Sequence, residues 1–381
     1  MAARAGDEMS GPALMLAGFA IAGSAAEASL LLAGLTAAAA VGGPVLGALL
    51  DRAARPGRLL AGALLLYAAG LGTILMGLGH LPIAVSVLIA VFTGLLGPAL
   101  SGGWTAQLPR VVPPAGLPRA NTLDAMTFSL ASLTGPALAG IVAELAGAPT
   151  AVVLSVVLIG VAVPSAWTLP ARSGPPLDGR PGSVLGSLIS GARIMVENRH
   201  LARATLISVI CCMAEGMLVA CLPLLGVQVL GDADRGALLL SCAAAAALAA
   251  NAVLSRLPRP ITPDTIIWAA ALIQAAALSL ATIDQPALLI AAMLLVGIAQ
   301  GPQLTALFAV RHREAPDSLR SQIFTTGASL KITAFALGAA TAGPLATWSL
   351  PTALALSATL SAVAALTFRL IRARRRVHAS R

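Results

Sequence analysis

Charged residues are scarce in this chain: they make up 10% of 381 residues, where a soluble domain carries roughly a quarter. With 58% hydrophobic residues and a mean hydropathy of +0.90, too few polar side chains remain to cover a water-facing surface. The apolar surplus must face lipid. Aromatic residues are also few, at 3%, and no alternating stretch of about ten residues recurs, which excludes an outer-membrane barrel. Apolar runs of about 20 residues do recur and select membrane-spanning helices.

Lysine is nearly missing. Lys331 is the only one, so no Gly-Lys-Ser/Thr phosphate loop exists and the chain cannot use ATP through that fold. Any work it does draws on a gradient or a partner. Cys211, Cys212, Cys221 and Cys242 sit in apolar runs without CxxC spacing or nearby histidines, which supports neither a zinc site nor a disulfide framework. The four histidines, His80, His200, His312 and His378, all fall in gaps or tails on this reading, so none is expected inside the membrane. There is no HExxH and no pair of deep aspartates, so no catalytic residue, metal or cofactor is expected and a membrane enzyme is disfavoured.

The net charge of +9 and a pI near 11.0 do not point to nucleic acid, because the basic residues are not interleaved with aromatics. They lie between the apolar runs. Twelve such runs are read, at 9–26, 29–50, 58–79, 83–107, 122–146 and 150–169, then 204–227, 236–256, 264–283, 286–310, 322–346 and 350–371. Alternate gaps must take opposite sides of the membrane. Arg4, the triplet Arg52, Arg55 and Arg58, Arg110 and Arg119, the central arginines from Arg172 to Arg203, Arg256, Arg259, Arg311, Arg313, Arg320 and the tail from Arg369 to Arg381 all fall on one side. Arg235 alone falls opposite. The positive-inside rule then places both termini in the cytoplasm and the chain in the plasma (inner) membrane as a multi-pass protein. The terminal run Arg369, Arg372, Arg374, Arg375 and Arg376 is expected to bind anionic headgroups.

The first run is short, since its counterpart beginning near Leu201 predicts a helix that starts several residues before the chain does. A cleavable signal peptide is the alternative, although Asp7 and Glu8 spoil its basic start. The four expected segments are a six-helix bundle at 1–170, a linker at 171–203, a second six-helix bundle at 204–371 and a basic tail at 372–381. Within the linker, Leu185, Leu188, Ile189, Ala192 and Met195 form an apolar stripe that fits either an interfacial helix or a loop packed beneath the bundles.

The halves echo each other at an offset of about 200. Gly94-Leu-Leu-Gly97-Pro98 matches Gly297-Ile-Ala-Gln-Gly301-Pro302, and Arg119-Ala-Asn121 matches Arg320-Ser-Gln322. The small-residue helices Gly135-Pro136-Ala-Leu-Ala-Gly140 and Gly338-Ala-Ala-Thr-Ala-Gly343-Pro344 follow them. Repeats of this kind build a midplane site that opens alternately to each side. The chain therefore reads as an all-α integral membrane protein of two six-helix bundles related by an internal repeat.

Over essentially its whole length it resembles a twelve-helix transporter of the major facilitator superfamily. Gly47-Ala-Leu-Leu-Asp51-Arg52-Ala-Ala54-Arg55 is similar to that family's Gly-x-x-x-Asp-Arg-x-Gly-Arg signature, with Ala54 in place of the second glycine. The resemblance implies close packing across the halves at Gly47 and a cytoplasmic latch at Asp51, Arg52 and Arg55. On physical grounds Asp51 is suited to the positive N-terminus of the third helix. Gly135, Pro136 and Gly140 resemble the helix-packing element of the family's proton-driven exporters, with Ala139 at one glycine, and tilt the direction towards efflux by antiport. The arginine that many of those exporters carry in helix four is missing here, as no charge lies between Phe92 and Gln107.

Charges within spans are costly and mark function. Glu215 falls near the middle of the seventh span, on a stripe with Ser208 and Cys212, and is a candidate proton carrier that is neutral in one access state and ionised in another. Lys331 lies about ten residues into the eleventh span, beside Gly327, Ala334 and Gly338. It either pairs with Glu215 or snorkels to the interface. Trp104, Gln107, Gln300, Gln303 and Asn251 are polar candidates for lining a cavity or joining helices. With no deep charge recognised in the first half, a largely apolar cavity is expected. The expected function is secondary active transport of a small amphipathic or hydrophobic organic solute, proton-coupled and outward, by a monomer. An importer of a small nutrient, a lipid flippase and a transport-inactive scaffold or sensor share the same fold.

Overall fold

The computed structural model describes residues 1–22, 25–171, 184–231, 233–257 and 261–370. In the first half the helices are α1 (Ala2–Ala22), α2 (Ala25–Arg52), α3 (Pro56–Gly77), α4 (Ile83–Gly94), the short α5 (Leu108–Val111), α6 (Leu117–Ala146), α7 (Ala148–Gly160) and α8 (Val163–Trp167). After α9 (Val184–Glu197) the second half contains α10 (Arg199–Leu225), α11 (Ala233–Leu254), α12 (Pro263–Leu280), α13 (Pro286–Glu314), α14 (Arg320–Trp348) and α15 (Leu350–Leu370). Ten of the helical segments are long and apolar enough to cross a membrane by length and composition. With α1 and α11 they make two bundles of six.

Local chemistry sets the helix ends. Prolines occupy the first turns of α3, α12 and α13, where their missing N–H is no loss. The Asn198 side chain caps α10 by accepting from the amides of His200 and Leu201 at 3.0 and 3.3 Å. Gly147 takes φ +89°, which lets α6 turn directly into α7. The fourth span is broken after Pro98 by a π turn at Ala99–Gly103, and this carries Gly102 against the backbone of Phe324 in α14.

Each half has its own apolar core. Leu31, Leu60, Leu64, Leu71 and Ile74 belong to the first, and Met217, Leu218, Leu278 and Leu289 to the second. A smaller cluster of Ala106, Ala125, Phe308 and Phe324 joins them. Large apolar side chains such as Met76, Leu145 and Trp348 remain exposed, as a lipid-facing surface requires.

Two expectations change here. The helix α1 begins at Ala2, so Arg4, Asp7 and Glu8 are helical residues inside the bundle rather than a gap before it. Arg4 is therefore not a surface charge: its Nη1 pairs with Asp124 Oδ1 at 2.6 Å, its Nη2 donates to Thr105 at 3.0 Å, and its guanidinium lies 3.8 Å from the Phe128 ring centre. Both partners are more than nine-tenths buried. Removing one leaves the other charge uncompensated, which typically costs about 3–5 kcal/mol. Arg4→Leu is thus expected to lower the thermal unfolding midpoint in detergent markedly, and adding Asp124→Leu to recover part of the loss. A single variant as stable as the parent would contradict this pairing.

The second change concerns α9. Its apolar stripe is divided: Met195 is buried, whereas Leu185 and Ile189 are 63% and 60% exposed. The helix also packs beneath the bundles, because Gln322 Nε2 donates to the Leu188 carbonyl at 3.1 Å and Gly191 meets the Gln322 amide. Residues Arg172 and Arg180 and the tail residues Arg372, Arg374, Arg375, Arg376 and Arg381 lie outside the described residues.

Candidate functional site

The hydrogen bonds that join the two halves lie between the arginine-rich half of α2, the end of the fourth span and the first turns of α14. Both carboxylate oxygens of Asp51 accept backbone amides there, Oδ1 from Ser321 at 2.9 Å and Oδ2 from Gln322 at 2.8 Å. Asp51 therefore serves the N-terminus of α14 in the opposite half, not that of α3 as the sequence suggested. The physics is the one anticipated, a carboxylate on orphan amides at a positive helix end. Only the recipient differs, because α2 crosses α14 at this point.

Gly47 makes that crossing possible. A Cβ there would fall 2.1 Å from Thr325 Oγ1 and 2.4 Å from the Gln322 Cα, and Gly43 meets Ser329 and the Thr325 carbonyl in the same way. Ser329 donates to the Ala39 carbonyl and Gln107 Nε2 to Ser321 Oγ at 3.3 Å, so Gln107 is a seam residue rather than an open cavity lining. Arg52 is half-buried beside Asp51, while Arg55 is exposed at the start of α3.

An aromatic plug lies behind the seam. Phe128 of α6 meets Phe308 of α13 with ring centres 5.8 Å apart, and Phe308 meets Phe324 of α14 at 5.9 Å. His312 follows at 4.5 Å from Phe324 and is 6% exposed, which corrects its expected place in an external gap.

Further from the arginine-rich end, acidic groups of the two halves act on each other through their charge. Glu215 of α10 lies within electrostatic range of Glu8 on α1 and of Lys331 on α14. Gln300 lies beside the Glu215 carboxylate, and its buried Nε2 makes no hydrogen bond among the described residues. Glu8, Glu215, Gln300 and Lys331 are all half-buried residues. Among the described residues, Glu215 and Lys331 approach without an ion pair inside 4.0 Å. Glu8 accepts from Ser132 at 3.2 Å, and Asp7 accepts from the buried Tyr67 at 2.9 Å. Asp7 and Glu8 thus add charged groups to the interior of the first half that the sequence reading places outside its first span.

The remaining polar candidates disperse. Gln303 lies beside Cys211, one turn from Glu215, and Asn251 accepts from Thr305 at 2.9 Å as a helix-to-helix bond. Trp104 lines a cavity of about 290 Å³ within the first half, together with Met1, Arg4, Asp124 and Thr127. Cys211, Cys212 and Cys221 are buried free thiols and Cys242 a half-buried one.

The sequence profile of the Major Facilitator Superfamily matches residues 1–330. The chain belongs to that superfamily. An uncharacterized MFS-type transporter, y4rN of Sinorhizobium fredii, is 40% identical over 63 residues, a stretch that spans 16% of this chain and 16% of that protein. Among solved structures, the human organic anion transporter MFSD10 aligns at TM-score 0.76 and 16% identity, covering 97% of this chain and 98% of its own. A bacterial homologue of the iron transporter ferroportin in an outward-facing state aligns at 0.77 and 15%, covering 97% and 96%. The E. coli fucose:proton symporter FucP aligns at 0.65 and 16%, covering 98% of each chain. At such identities these likenesses show the fold. With the family match they make this chain a multi-pass membrane transporter.

As a superfamily member the chain keeps only part of the small-residue element in α6. A Cβ on Gly135 would fall 2.6 Å from Glu8 Cβ and 2.9 Å from its carbonyl carbon, so Gly135 sets the distance between α6 and α1. Gly140 faces open space with nothing within 4 Å and packs against no neighbour, and Pro136 is exposed. Gly135→Ala is therefore expected to displace Glu8 and lower the unfolding midpoint, whereas Gly140→Ala leaves it unchanged or slightly raised. Equal effects at the two sites would contradict the assignment.

Proposed function

We propose that this transporter is a proton-coupled exporter of a small amphipathic organic solute, acting as a monomer in the plasma membrane without a bound cofactor. The positive-inside rule assigns its arginine-rich side to the cytoplasm, so the conformation described is sealed inward. Glu8 and Glu215, interior carboxylates of opposite halves within electrostatic range of each other, are the observation that carries this reading. Two carboxylates within electrostatic range of each other in a low-dielectric interior do not both ionise readily. One proton, or one cationic group of the solute, relieves their repulsion. Antiport follows if the two compete, since each can leave only when the other arrives. Lys331 and Gln300 flank Glu215 and tune that exchange. The two carboxylates favour a solute with a positive group beside its apolar part, which narrows the amphipathic or hydrophobic class suggested by the sequence.

The test uses purified protein in liposomes with an internal pH dye and an imposed proton gradient, challenged with amphipathic amines and neutral analogues. Solute-dependent proton release is expected with the amines. Solute accumulation along with protons would identify an importer, and movement of lipid headgroups without proton flux a flippase.

A further inference from the structure

Arg311 is 2% exposed, yet among the described residues no carboxylate pairs with it. Its Nε and Nη2 are buried without a hydrogen bond. The guanidinium lies against Gly327 of α14, where a Cβ would fall 2.0 Å from Nη2, and 5.7 Å from the Phe324 ring centre. Beside it His312 is 6% exposed, with neither ring nitrogen hydrogen-bonded. Arg320, within electrostatic range of His312, is partly exposed and has its Nε buried without a partner. None of the acidic groups nearby in the chain pairs with Arg311 or His312: Asp317 pairs with Arg320 through Nη2, Glu314 with Arg313 and Asn198, and Asp51 with the α14 amides.

Buried polar groups are ordinarily hydrogen-bonded, and an uncompensated buried cation is strongly unfavourable. Among the described residues Arg311 and His312 meet no protein anion, and Arg320 meets only the exposed Asp317, which leaves its Nε unpartnered. We propose that Arg311, His312 and Arg320 hold a small inorganic anion of the chloride or phosphate class between α13 and α14. Arg311 supplies the charge, a neutral His312 one N–H, and Arg320 the solvent-side donor that admits the ion. Because Phe324 and Phe308 belong to the plug between the halves, an ion held here favours the sealed state. The site is separate from the Glu8 and Glu215 pair, and its occupancy does not depend on the transported solute.

Thermal unfolding of the purified, delipidated protein would be followed as chloride or phosphate replaces gluconate at constant ionic strength, gluconate being too bulky for an enclosed site. A rise in the midpoint of about 5 °C is expected for at least one small anion near saturation, lost in Arg311→Gln and retained in Arg313→Gln. No rise with either ion, or the same rise in Arg311→Gln, overturns the proposal. Hydrogen exchange on the unaltered protein gives a second reading that needs no variant. Slower exchange confined to 308–330 with the ion supports the site, and uniform or absent slowing overturns it.

Discussion

Glu215→Gln is expected to abolish solute-driven proton movement in proteoliposomes, by about a hundredfold or more, while the protein still folds and binds solute. A single proton-carrying group in a coupled cycle has no partial substitute, and general acid–base groups contribute about 10²–10⁴-fold where they act. Glutamine keeps the volume and the hydrogen-bonding reach to Gln300 but cannot release a proton at any working pH. It resembles the protonated carboxyl, so one stage of the cycle is preserved and the next is blocked. Exchange of labelled solute for unlabelled solute across the membrane, which needs no proton step, should survive in the variant. Glu8→Gln should keep some proton flux and lose affinity for cationic solutes, because Glu8 acts on Glu215 through its charge alone, whereas Lys331 and Gln300 flank Glu215. Full proton coupling in Glu215→Gln would remove Glu215 from the mechanism.

Gly47→Val is expected to empty the sealed state by about a hundredfold or more. The Cβ of any residue at 47 would occupy the space of the Gln322 Cα and Thr325 Oγ1. The atoms it meets include helix backbone, so no side-chain rotation relieves the overlap and α14 must move. That movement also separates Asp51 from the Ser321 and Gln322 amides, two bonds to a charged acceptor worth about 1.5–3 kcal/mol each. Asp51→Asn removes the charge but leaves one oxygen acceptor and the packing. Its effect should therefore be smaller, about tenfold, and the double variant should add little to Gly47→Val because both act on one crossing. Accessibility of a cysteine at Ser329 to a reagent on the arginine-rich side reports the change: it should rise in Gly47→Val and less in Asp51→Asn. Unchanged accessibility in Gly47→Val would mean that α2 and α14 do not seal the molecule.

What the sequence disclosed, and what it hid, follows from how far apart the interacting groups lie in the chain. Too few charges for a water-facing surface gave the class, and the one-sided arginines gave the alternation of the helices. Gly47, Asp51, Glu215 and Lys331 were legible because each is a local anomaly, a glycine or charge within an apolar run. Asp7 and Glu8 were not, since a hydropathy reading starts a helix after the last charge and so placed them outside the first span. The signal available was their spacing: Arg4, Asp7 and Glu8 at three and four residues share one helical face. The plug was hidden for another reason, as Phe128, Phe308 and Phe324 are ordinary residues until three helices bring them together. Gly140 failed in the opposite direction, a small residue in a familiar pattern with no neighbour to approach. Asp51 showed its chemistry but not its partner, which lies 270 positions later.

We expect the seam between α2 and α14 to open and close as the transporter works. Spin labels at Ala54→Cys and Pro316→Cys, both exposed beside the seam, in protein whose four native cysteines are replaced, measure it by electron–electron distance. In liposomes the account predicts two distance populations. The shorter corresponds to the sealed state described here, and the longer gains weight in Asp51→Asn and on adding transported solute. A single unchanging distance across solute, proton gradient and Asp51→Asn would contradict it.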